Sequence, residues 1–184
     1  MRITKFFNHM LDHRAQLKSG YRPIVFGCLI LYLGFVMALC FSPQADIVGV
    51  STPNIIYWGR LRLLLVPFNT LISFSRLETA WEVVWVTIQN LLNIFLLYPL
   101  AFAFYLLRQK WYSFKQALLL GLCLSACIEI TQLALDLAFD FNRVFEIDDL
   151  WTNALGVGLA YLSVHAIRQR CLLHFGCDGE SLFD

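Results

Sequence analysis

Four long apolar runs restrict this 184-residue chain more than any other feature: Ile24 to Ser42, Val83 to Leu107, Gln116 to about Ala138, and Trp151 to Ile167. Crossing a hydrocarbon core roughly 30 Å thick takes about 17 to 25 mainly apolar helical residues, so the first three runs qualify and the fourth is the shortest that does. Composition agrees. Hydrophobic residues make up 59% of the chain and charged residues 15%, with a mean hydropathy of +0.64, whereas an ordinary soluble domain carries about 25% charged residues. The expected architecture is a single all-α membrane domain of four transmembrane helices, spanning about 24–42, 83–107, 116–138 and 151–167. It is flanked by a basic amphipathic N-terminal segment, 1–23, and a tail, 168–184.

Charge sets the expected orientation. Of the 14 Lys and Arg residues, ten fall with the termini and the link between the second and third spans, and Arg60, Arg62, Arg76 and Arg143 fall on the opposite side. That bias places both termini in the cytoplasm. Tyr57, Trp58, Trp81, Trp85 and Trp151 then lie at the outer interface, and Tyr21, Trp111 and Tyr112 at the inner one. The first run follows 23 residues and lacks an A-x-A site, so it reads as a retained anchor. Ahead of it, Ile3, Phe6, Phe7, Met10 and Leu11 recur at helical spacing among Arg2, Lys5, Arg14 and Lys18. This is the pattern of a helix lying on an anionic leaflet.

The long first outer loop holds an apolar stretch, Leu61 to Phe74, that is interrupted by Arg62 and Pro67 and is too short to span. It is expected to be interfacial or re-entrant, with a fifth span as the competing topology. Of the six cysteines, four fall in spans and two in the tail, which leaves no outer disulfide framework. Cys123 and Cys127 share a helix face without further metal ligands, and juxtamembrane Cys171 is a weak candidate for acylation.

Polar residues inside such a chain are expensive and mark candidate sites. Ser125, Glu129, Gln132 and Asp136 follow at offsets of four, three and four, which puts them on one stripe of the third span. Asn90 and Asn93 lie in the outer half of the second span, and Asn153 at the start of the fourth. Three helices therefore direct polar groups towards one end. Between the third and fourth spans, Arg143, Glu146 and Asp149 are spaced three apart. A bidentate pairing of Arg143 with one of the nearby carboxylates is expected to fix the loop, and Asp148 or Asp149 to cap the last helix. Gly156 with Ala160, and Gly121 with Ser125, follow the small-xxx-small pattern of closely packed membrane helices.

The series Glu129-x-x-Gln132, then Arg143-x-x-Glu146-x-x-Asp149-x-x-x-Asn153-x-x-Gly156, resembles the VanZ-like family of polytopic membrane proteins. Asn93 six residues before Pro99, and Val66-Pro67-Phe68, add to the match, which covers about Leu61 to Tyr161. Two positions depart from the family pattern: Glu146 stands where Asp is common and Ala101 where Gly is common. The resemblance implies a small helical protein of the bacterial cytoplasmic membrane. The family's namesake is associated with teicoplanin resistance.

The functional expectation is a non-enzymatic protein with an outer-leaflet polar pocket for the head group of an envelope lipid, a lipid-linked precursor or a lipoglycopeptide. Asn93, Glu129, Gln132, Arg143, Glu146, Asp149 and Asn153 are the ligand-binding candidates, with Arg143 meeting an anionic group. Two other readings stand beside it. The same groups can clamp the helices together, or Glu129 can serve as the acid or base of a membrane enzyme acting on a lipid. No nucleophile with an adjacent base is visible. All four His residues fall on the inner side, which argues against a His-based triad or a zinc site in the pocket, and no cofactor or metal is expected. A net charge of +1 gives nucleic-acid binding no support.

Overall fold

The computed structural model describes residues 6–7, 9–45, 53–72, 80–108 and 113–175. Arg2, Ile3, Lys5, Arg76, Lys110, Trp111, Tyr112, Cys177 and the rest of the tail lie outside them, as does the side chain of Trp85. Four long helices form the body: α1 (Arg22–Phe41), α3 (Ala80–Leu107), α4 (Phe114–Phe139) and α5 (Ile147–Phe175), with a single turn, α2 (Asn69–Ile72), in the first long loop. All four long helices are long and apolar enough to cross a membrane. Leu61 to Leu64 does not cross as a fifth. It is a strand.

Local chemistry sets the helix ends. Pro23 stands in the first turn of α1, where its missing N–H costs nothing. Ser42, the residue before Pro43, is extended and stops the helix. Ser113 and Gln116 form a reciprocal capping box at the start of α4, and Asp140, left-handed at φ 57°, closes its other end. Pro99 lies inside α3. Near it the Leu96 carbonyl accepts the Tyr32 hydroxyl of α1 at 3.0 Å.

Helix α5 is the most enclosed element and packs against both α3 and α4. Small residues permit this. A Cβ at Gly156 would run into the Ile94 carbonyl oxygen of α3, and one at Gly121 would lie 2.7 Å from the Ala154 Cα. Val157 and Ala160 are fully buried between Leu97, Ala101 and Ala117. By contrast α1 buries only Val36 and Cys40 and presents Ile24, Phe26, Leu31 and Phe35 outward.

Three short strands close one end of the bundle: β1 (Ile56–Trp58), β2 (Leu61–Leu64) and β3 (Val144–Glu146). β1 and β2 form an antiparallel hairpin across Gly59 and Arg60, with Gly59 at φ +61° as the first turn residue. β2 then pairs in parallel with β3, with Arg62 opposite Val144 and Leu64 opposite Glu146. At the other end, the described N-terminal helical residues end at Met10, and the chain beyond them does not lie along the surface as a helix. The Asp12 carboxylate accepts the Arg14 and Gln16 N–H groups, both at 2.9 Å, which bends the chain back. Leu11 and Leu17 pair, and Met10, Leu11, Ala15 and Leu17 bury themselves against Cys171 and Leu172 of α5. The last helix is therefore 29 residues long, not the short span that hydropathy suggests. Cys171 is fully buried, which removes it as an acylation site.

Gly156→Ala is expected to lower the melting temperature in mild detergent, with a loss of about 1–3 kcal/mol from overpacking against α3. Gly27→Ala, where nothing lies within 4 Å of the added methyl, should leave the melting temperature unchanged or slightly raised.

Candidate functional site

The polar stripe of α4 faces inward. Ser125, Glu129, Gln132 and Asp136 are all buried, and each meets a different element. Ser125 Oγ donates to the Asp149 carbonyl at 3.0 Å and accepts Asn153 Nδ2 at 3.0 Å, which joins α4 to α5. Glu129 Oε2 accepts the Glu146 N–H of β3 at 3.2 Å. Gln132 Nε2 donates to the Cys40 carbonyl at the end of α1 at 2.9 Å. Asp136 Oδ1 accepts the Arg143 N–H at 3.0 Å, while its Oδ2 is buried without a partner.

At the centre, the Glu129 and Asp149 carboxyls lie within hydrogen-bonding reach of one another. Asn93 Nδ2 of α3 donates to Asp149 Oδ1 at 2.6 Å, and Gln89 Nε2 donates to Glu146 Oε1 at 3.1 Å. Burial, and then the nearby Asp149 carboxylate, hold the Glu146 carboxyl well above the usual carboxylate range. Three carboxyl groups from α4, β3 and α5 thus meet with amide and backbone donors but, among the described residues, without an ion pair. The Asn153 side chain completes the arrangement one turn along α5, with its Oδ1 buried and unpartnered.

Arg143 departs from expectation. Because residues 144–146 are extended and the helix starts only at Ile147, Arg143 does not share a face with Glu146 and Asp149. Its guanidinium turns to the end of α1 instead: Nε donates to the Ser42 carbonyl at 3.0 Å, and Nη2 donates to that oxygen at 2.8 Å and to the Leu39 carbonyl. A cation at a helix C-terminus meets orphan carbonyls and the negative end of the helix dipole. Arg168, buried on α5, does the same for α3, with Nη2 donating to the Tyr105 and Arg108 carbonyls.

Asp148, expected along with Asp149 as a candidate cap of the last helix, has another task. Rather than capping its own helix, its carboxylate accepts the Phe68 N–H at 2.7 Å, the Asn69 N–H at 2.9 Å and Trp151 Nε1 at 2.9 Å. Phe68 takes the left-handed conformation, φ 55°, which a bulky residue adopts only when its surroundings enforce it. Its ring lies 5.4 Å from that of Trp151. The signal for this contact was the Val66-Pro67-Phe68 motif, read separately from Asp148. Gln89 was also missed as a partner of Glu146; it was visible as a polar residue within a span.

The VanZ/LLP1 family model matches residues 29–168, most of the chain and at least part of each long helix, so the chain belongs to that family. No curated protein matches it, and no solved structure does.

Asp148→Ala leaves two backbone donors and the Trp151 indole without their acceptor, an expected loss of about 1–3 kcal/mol. Limited proteolysis should then cut within residues 53–72 before the bundle unfolds. The raised Glu146 carboxyl holds its proton in the folded state over a range where the unfolded chain has released it. Folded stability should therefore fall as pH rises from the ordinary carboxylate value through neutrality. Glu146→Gln should flatten that part of the melting-temperature profile.

Proposed function

We propose that this VanZ/LLP1 protein is a non-enzymatic membrane protein whose polar end binds the head group of an envelope lipid, a lipid-linked precursor or a lipoglycopeptide. The observation that carries the reading is the meeting of Glu129, Glu146 and Asp149 without an ion pair among the described residues. Such a group favours a ligand that brings hydroxyl and ammonium donors, because carboxyl oxygens accept from them in charge-assisted hydrogen bonds. Gln89, Asn93 and Asn153 supply neutral contacts around it. Arg143 holds the loop to α1, so its part is positional. Through the family resemblance, glycopeptide resistance, teicoplanin included, belongs to the same proposal.

A second reading has its own support. Each of the seven sequence-identified residues already has a partner within the chain, as a helix clamp requires, and individual interhelical hydrogen bonds in membranes contribute about 0.6 kcal/mol on average.

Two substitutions separate these readings. Under binding, Glu129→Gln and Asp149→Asn leave a folded, inserted protein that has lost ligand. Native mass spectrometry after purification in mild detergent should find an amine- or sugar-bearing lipid on the parent chain and at least tenfold less on either variant. Variants that fail to fold point to the clamp. Turnover of an added lipid that disappears with Glu129→Gln would instead make Glu129 an acid or base. If the resistance proposal holds, expression of the parent chain in a sensitive bacterium raises the inhibitory concentration of teicoplanin and expression of Glu129→Gln does not.

A further inference from the structure

The end of the bundle opposite the sheet has the reverse electrostatic character. Here α1 and α4 begin and α3 and α5 finish, and the N-terminal bend folds over the last turns of α5. Arg14, Lys18, Arg22, Arg108, Lys115 and Arg170 are all exposed on it. Asp12 is the sole acid there among the described residues, and its carboxylate is occupied by the Arg14 and Gln16 N–H groups.

These charges are held in place. Leu11, Ala15 and Cys171 are buried to 1% exposure or less, so the bend carrying Arg14 and Lys18 is fixed to the helix carrying Arg170. Lys18 Nζ also donates to the His9 carbonyl at 2.7 Å. Arg22 Nη2 reaches the Leu107 carbonyl at 3.4 Å, which ties the start of α1 to the end of α3. Large apolar side chains remain exposed among the cations: Phe6, Ile24, Leu173 and Phe175. Cations arranged around exposed apolar groups, beside helices able to cross a bilayer, match a surface that offers phosphate outside and hydrocarbon beneath.

We infer that this face is a preorganised docking surface for the head groups of anionic phospholipids in the leaflet nearest the chain termini. The attraction is electrostatic, close to the lipid surface, and weakened by salt. Because the basic groups sit on a folded bend rather than a free helix, the preference is a property of the assembled protein. It is independent of the carboxyl cluster.

The test uses the full-length chain in mild detergent, titrated with short-chain phosphatidylglycerol and phosphatidylcholine, with bound lipid counted by native mass spectrometry. The parent protein should prefer phosphatidylglycerol by about tenfold or more at low ionic strength, and the preference should shrink as salt is added. Replacing Arg14, Lys115 and Arg170 together by Gln should remove most of it, at up to about fivefold per side chain. Arg14→Lys with Arg170→Lys should retain it. Equal binding of the two lipids by the parent chain, a preference indifferent to 0.5 M salt (about a 4 Å screening length), or a triple variant as selective as the parent would each overturn the inference. If the triple variant does not fold, the salt response of the parent decides.

Discussion

The last carbonyls of a helix that ends beside other apolar helices have little water to turn to, and the way this chain satisfies them governs the rest of the structure. Arg143 lies across the end of α1 and Arg168 across the end of α3. Each guanidinium spans more than one carbonyl, which its fork of donors allows and a lysine ammonium would do less well. Through Arg143 the loop after α4 is fastened to α1, although the two are about a hundred residues apart in sequence. Through Arg168 the long α5 is fastened to α3. The bundle is thus closed at both ends by cations that serve backbone rather than acids.

That use of arginine has an electrostatic result. Arg143 is committed to α1 and reaches Glu129 only through its longer-range charge, so Glu129, Glu146 and Asp149 directly meet amide donors and one another. Asp148, one position earlier, is spent on Phe68, Asn69 and Trp151. Adjacent carboxylates on one helical turn therefore have unlike tasks. Asp148 holds a backbone shape, while Asp149 faces a chemical environment short of positive charge.

Much of this was legible from periodicity. Offsets of three and four residues along the third span identified the buried face of α4, and small-xxx-small spacing identified Gly121 and Gly156 as points of close approach. What escaped depended on extended backbone and distant pairing. Three strands of three or four residues carry no helical or alternating signature long enough to register, so the sheet went unseen and Arg143 was assigned to a helical face it does not occupy. The full length of α5 was hidden because its final turns are polar, with Arg168 and Arg170 interrupting the apolar run. Those turns are stabilised instead by Leu11 and Leu17.

The parallel pairing of β2 with β3 carries a consequence for the order of assembly. Arg62 and Val144 are eighty-two residues apart, and the whole of α3 and α4 lies between them. Such non-local contacts form late, because the intervening chain must be arranged before they gain anything by closing. Glu146 sits at the last rung of that ladder, opposite Leu64. Its place beside Glu129 and Asp149 therefore draws on α4, β3 and the first turn of α5 together, and no fragment that ends before Asp149 can hold the complete carboxyl trio.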